Sequence, residues 1–300
     1  MKKKTYLFAL MAMALTLGSC SDNENGIGGE TFKYITVSTS IGNMTRVATD
    51  AKGGQTFEEG DEISVYAWTG APTVAPETSE RVVNNAINKL TNGSWISTPQ
   101  MLWKNNREKH YFIGVYPTAA ISDLSAGEYT FDVNKQTESD LLVAVNKDGI
   151  SYNADEQQTV PLTFTHVMAK LVVNLTYKNQ WGGIPTVEKV VVGNAAKEAT
   201  INYLTKVVTP STTAKEDFSL PEITENTKYV SVIIPQEEVK QLTIVIGGKN
   251  FVYDNGTPFK LESGKITTVN LEVGRDEIKL GDVKITNWED GSTFSGEALN

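Results

Sequence analysis

The chain has one cysteine, two histidines and four arginines in 300 residues. A single cysteine, Cys20, excludes an internal disulfide framework and leaves no thiol in the body of the protein for nucleophilic work. His110 and His166 offer little for acid–base catalysis. There is no H-E-x-x-H, G-x-S-x-G, Walker loop or G-x-G-x-x-G. Acidic pairs such as Glu58-Glu59, Asp61-Glu62 and Glu237-Glu238 lack the D-x-D-x-D-G spacing that converges oxygens on Ca²⁺, and read as solvated surface. Paired carboxylates for glycoside hydrolysis need only proximity in space, and no pair is marked out. The expectation is a non-enzyme with no catalytic residue, metal or cofactor. Beyond the N-terminus no stretch is apolar for 18 residues. Positive charge is also scarce: 36 acidic against 27 basic side chains give −9, and −12 once Lys2, Lys3 and Lys4 are gone. Such a surface argues against nucleic-acid partners and against electrostatic binding to anionic lipid.

What is present at the N-terminus is a three-part export signal. Lys2 to Lys4 are positive, Tyr6 to Leu17 is apolar, and Leu17-Gly18-Ser19-Cys20 follows. The last four residues resemble the lipobox of bacterial lipoproteins, which implies removal of residues 1–19 and a diacylglyceryl thioether on Cys20. Residues 20–30 are acidic and glycine-rich and read as a flexible tether. That tether resembles the tag that sends some lipoproteins to the outer face of the outer membrane.

Everything after the tether has period two. Val167, Ala169, Leu171, Val173, Leu175 and Tyr177 alternate with other residues, which predicts a long strand with one buried face. Segments 63–68, 111–116, 141–145, 229–234, 242–246 and 266–273 predict further strands. Lys147-Asp148-Gly149, Gly182-Gly183, Gly247-Gly248, Asp254-Asn255-Gly256 and Ser263-Gly264 read as turns between them. No helix of three turns is predicted; 81–90 is the nearest candidate. Many short strands predict an all-β chain of β-sandwiches, divided near 150–166 into two halves. His166 is expected to pack or hydrogen-bond, and His110, after the charged turn 106–109, to be solvated. Trp68, Trp95, Trp103, Trp181 and Trp288 are expected to anchor cores; grouped on one exposed face, they would instead stack sugars.

Several segments, taken in order, carry a family resemblance. They are the lipobox, Tyr34-Ile35-Thr36-Val37 with Thr45-Arg46, and Phe57-Glu58-Glu59-Gly60-Asp61-Glu62-Ile63-Ser64-Val65-Tyr66. Leu102-Trp103 with Tyr111 to Pro117, Asp140-Leu141-Leu142, Leu162 to Leu171, and Ile285 to Gly291 follow. The chain resembles the fimbrillins that build type V pili of Gram-negative anaerobes. The resemblance implies two transthyretin-like β-sandwich domains in tandem, 31–160 and 161–300, and a structural stalk, tip or anchor subunit supporting adhesion. It implies a trypsin-like maturation protease cutting between Arg46 and Val47, and other fimbrial subunits as partners. The location implied is the outer membrane surface, then the fimbrium.

The residues fit that scheme. Segment 31–41 alternates, with Ile35, Val37 and Ile41 on one face, and would form a removable edge strand of about 11 residues. Cleavage after Arg46 would take lipid and strand away together and leave a groove for a neighbour's strand. The tail 274–300 could supply that strand through Ile278, Leu280, Val283, Ile285 and Trp288, or could be a last strand of its own domain. A lipid-anchored, glycan-binding β-sandwich protein is the alternative reading.

Overall fold

Alternating apolar and polar residues commit the chain to strands, and in the computed structural model the regular secondary structure described is almost entirely strand. It describes residues 34–42, 56–153, 158–254 and 256–288, all within the unit Phe32–Asn300. Numbered in chain order, the described strands form four sheets. The largest has seven, in the order β1 (Thr36–Ile41), β8 (Thr159–His166), β7 (Leu142–Ser151), β5 (Lys109–Tyr116), β2 (Glu62–Thr69), β3 (Val83–Thr91) and β4 (Ser94–Thr98). A five-stranded sheet runs β14 (Glu222–Thr224), β15 (Lys228–Ile233), β9 (Ala169–Tyr177), β18 (Lys265–Val273) and β19 (Ile278–Asn287). A four-stranded sheet runs β13 (Lys215–Ser219), β10 (Lys189–Ala196), β16 (Gln241–Ile246) and β17 (Lys249–Asp254). The smallest sheet joins β12 (Val207–Pro210), β11 (Glu198–Asn202) and β6 (Gly127–Thr130). The α-helix described is the single turn α1 (Gln136–Ser139).

Two apolar cores explain the patterning. In β2, Ile63, Val65 and Ala67 enter one core, with Phe112, Ala144, Leu162 and Phe164. Tyr66 and Trp68, on the other face, enter a second core that continues through Val143, Val173, Ile233 and Leu271. With both faces covered, β2 is buried at every interior position and reads as a run rather than an alternation. β9 behaves likewise, since Val172 and the stem of Lys170 are buried as well as the predicted face.

The first and second halves are laced together. β6, from the first half, pairs with β11 from the second. Gln136 of α1 donates to the Ser231 hydroxyl and accepts the Val232 N–H. The expected division at 160/161 falls inside β8, and the chain passes from the seven-stranded to the five-stranded sheet between His166 and Ala169.

Two local expectations are corrected, at Asp148-Gly149 and at His110, and the nearest helix candidate is a strand. Segment 81–90 is not a helix but carries most of β3, bulged where its register with β2 shifts and Asn85 takes φ 56°. The bulge puts Val83 and Ala86 on one face, and that three-residue spacing mimics a helix. Asp148-Gly149 is not a turn between strands but a second bulge within β7. Gly149 has φ 67°, and a Cβ there would lie 2.6 Å from the Tyr111 ring. His110 is fully buried instead of solvated, because its ring packs edge-on to Trp103, with centroids 4.9 Å apart.

Candidate functional site

β1 is an edge strand, and it runs parallel to β8 from Thr36↔Thr159 to Ile41↔Phe164. The ladder has six residues; of the other residues in the expected strand 31–41, Tyr34 and Ile35 pair elsewhere, and 31–33 lie outside the described residues. Ile35 N–H donates to the Met101 carbonyl at 2.9 Å, and Tyr34 bridges to Leu102. β1 therefore fills the gap between the first and last strands of a curled sheet. At the far edge, the Trp95 indole N–H of β4 donates to Thr39 Oγ1 at 3.0 Å.

The inward face of β1 completes the first core. Ile35 and Val37 are buried and Ile41 is half-buried. The outward face carries hydroxyl contacts, Thr36 with Thr159 at 3.3 Å and Ser40 with Thr163 at 3.2 Å. Burying two aliphatic side chains contributes about 3–6 kcal/mol before ladder hydrogen bonds. β7 is in register with β8 only from His166 to Phe164. The stretch Thr159–Thr163 thus has β1 as its ladder partner, and removing β1 would strip both an apolar face and a row of backbone groups. Phe57 closes the base of the groove, edge-on to Trp95, Tyr116 and Phe164 with centroids 5.1–5.3 Å away.

The candidate tail is the last strand of its own sheet in this structure. β19 runs antiparallel to β18 along its whole length, with a register shift at Gly281. That bulge is why Leu280 and Val283, three apart, share a face with Ile278 and Ile285. Leu280, Val283 and Ile285 are 37%, 38% and 39% exposed, so this apolar row is only partly covered. Trp288, just past the strand, is buried. It stacks on His166, whose Nδ1 lies 2.8 Å from Asp140 Oδ1, and Lys170 Nζ sits over its ring. β1 and the tail thus both reach the C-terminal end of β8, at Phe164 and His166.

Cys20, Arg46, Val47 and residues 289–300 lie outside the described residues. Of the other arginines, Arg81 is buried and donates to the Ile121 and Ser122 carbonyls. Arg107 and Arg275 are exposed. Trp68 and Trp103 are each 2% exposed and Trp95 is half-buried, so these three do not form the exposed sugar platform of the alternative reading. A cleft of about 780 Å³ borders Trp68 and Trp103, with Val74, Leu102 and Lys104 also in its lining. Among the described residues there is no cluster of three metal-ligating side chains, and no helix is long and apolar enough to cross a membrane.

The roles of Trp95 and of the turn Asn92-Gly93 were missed in the sequence. Asn92 and Gly93 have φ 50° and 73° and make the two-residue β3–β4 hairpin that carries Trp95. An Asn-Gly pair between alternating residues was the available signal.

A fimbrillin-like family model matches residues 45–288. Among solved structures, the chain is similar to a candidate cell adhesion protein from Bacteroides uniformis, at 19% identity and TM-score 0.62, covering 85% of this chain and 99% of that one. A second candidate cell adhesion protein, from Bacteroides ovatus, has 18% identity and TM-score 0.62, covering 86% and 98%. The tip fimbrial protein Mfa3 of Porphyromonas gingivalis, with a C-terminal truncation, has 11% identity and TM-score 0.51, covering 77% and 95%. No curated protein matches the sequence.

Proposed function

Because the chain belongs to the fimbrillin-like family, we propose that it is a structural subunit of a cell-surface fimbria that polymerises by strand exchange and supports adhesion. In this reading it is exported as a lipoprotein through Cys20, held at the outer membrane, and matured by a trypsin-like protease between Arg46 and Val47. It assembles with other fimbrial subunits and has no catalytic role. The observation that carries the reading is the placement of β1, which supplies core residues and serves as ladder partner to Thr159–Thr163. Its loss leaves a groove with the length, direction and apolar lining of a strand, which is what β-augmentation requires. The tail β19 is the proposed donor. It is also an edge strand, and its apolar row is already half-exposed. Head-to-tail exchange of this kind propagates into a filament instead of closing.

The test is limited trypsin treatment of the purified 20–300 chain. The first cut falls after Arg46, and unheated samples then show SDS-resistant ladders that Arg46→Ala abolishes. A cut product that stays monomeric at high concentration, with Arg46→Ala behaving identically, removes the basis for strand exchange.

A further inference from the structure

The groove under β1 is mostly apolar, and the polar group that β1 itself satisfies there belongs to Trp95. Trp95 presents an indole N–H, which can only donate, and Phe57 braces its ring edge-on at 5.3 Å. Its acceptor is Thr39 Oγ1, at the third inward position of β1 after Ile35 and Val37. An apolar side chain at that position would cover the N–H without satisfying it. The native occupant thus reads aliphatic–x–aliphatic–x–acceptor.

The same spacing occurs twice in β19. Val283-x-Ile285 leads to Asn287 on one face of β19 as it stands, and Ile278-x-Leu280 leads to Asp282 once the bulge at Gly281 is straightened. Both acceptors are exposed in the strand: Asp282 Oδ1 accepts from Asn270, and Asn287 Oδ1 accepts from Lys265. Among the described strands β19 is paired on one side only, so its outer edge can join another ladder.

We propose that Trp95 is a specificity-determining residue of the groove, admitting strands with a hydrogen-bond acceptor at the third inward position, and that the occupant it fits is segment 278–287 of a second copy of this chain. The proposal rests on the reading that β1 is replaced during assembly. The two frames of β19 give the incoming strand two seats, displaced along the groove, each of which returns an acceptor to Trp95.

The test uses the full 20–300 chain with a site-specific protease sequence in place of residues 48–54, cut while folded. Displacement of the labelled N-terminal fragment by excess peptide is then followed. Peptide 278–288 displaces it. The same peptide carrying Asp282→Leu and Asn287→Leu, although more apolar, does so about tenfold less well. In Trp95→Phe protein the two peptides become equal. If both act equally on protein with Trp95 intact, selection by Trp95 is overturned while strand replacement stands. If no peptide exchanges, including one of sequence 34–42, strand replacement itself fails and the proposal falls with it.

Discussion

Trp288 lies flat on His166, with ring centroids 4.0 Å apart and planes 4° from parallel. The imidazole is held from its own edge by Asp140, so the last described residue of the tail rests on a side chain that is itself fixed. This joint ties β19 to the end of the strand that β1 covers.

Trp288→Ala should therefore cost about 3 kcal/mol, the range for removing a buried aromatic ring. Hydrogen exchange should show the loss of protection concentrated in β19, with β1 little changed. Uniform loss across both strands would mean that the stack is not a local latch.

Ile35→Ala should destabilise by about 2–4 kcal/mol, because the side chain is 2% exposed in the first core. Ser38→Ala, at an outward and exposed position, should stay within about 0.5 kcal/mol. Urea midpoints at constant slope distinguish the two, and equal effects would contradict the assigned faces of β1.

Gly114→Ala tests the contact between β5 and β8. A Cβ at that position would lie 2.6 Å from Phe164 Cζ and 3.1 Å from Leu162 Cδ1. The Phe164 ring and the Leu162 side chain are themselves buried in the first core, so they have little room to move aside. Overpacking of this kind costs about 1–3 kcal/mol, read as a lowered Tm. An unchanged Tm would show that Phe164 can yield.

His110 makes stability depend on pH. Its Nε2 accepts the Lys104 N–H at 3.0 Å, which places the proton on Nδ1, facing the Glu108 carbonyl. Burial, foremost, pushes its pKa below the ordinary histidine value. Below about pH 6.5 the unfolded chain takes up a proton there that the folded chain resists. The contribution of His110 is thus full above that pH and is lost as pH falls toward the depressed folded value. Urea midpoints at pH 7.5 and 5.5 should separate by less in His110→Gln than in the unaltered protein; an equal separation would refute the assignment.

Long strands were legible wherever one face is buried, as in β18, or where a run such as β2 is buried on both. Bulges defeated the reading locally, because one inserted residue turns a spacing of two into three. That is why β3 resembled a helix and Asp148-Gly149 a turn. His110 was misplaced because its charged neighbours are visible in sequence, whereas Trp103 against its ring is a tertiary contact. Ile35 and Val37 were legible as an inward face. Trp95 opposite Thr39 was not, since that contact exists only when the two ends of a seven-stranded sheet curl together. The pairing of β6 with β11 is equally non-local.

The direction of the β1–β8 ladder bears on how a fibre would carry load. Two strands held side by side and pulled along their length strain all their rungs together, in shear. Strands pulled apart from one end lose their rungs one at a time, as a zipper does. A strand seated along β8 over six residues, with its side chains sunk in an aromatic-floored groove, resists an axial pull by the first mode. The same strand peels easily if drawn sideways out of the edge. One seat would then be mechanically strong in the direction of a filament and permissive in the direction from which strands are exchanged.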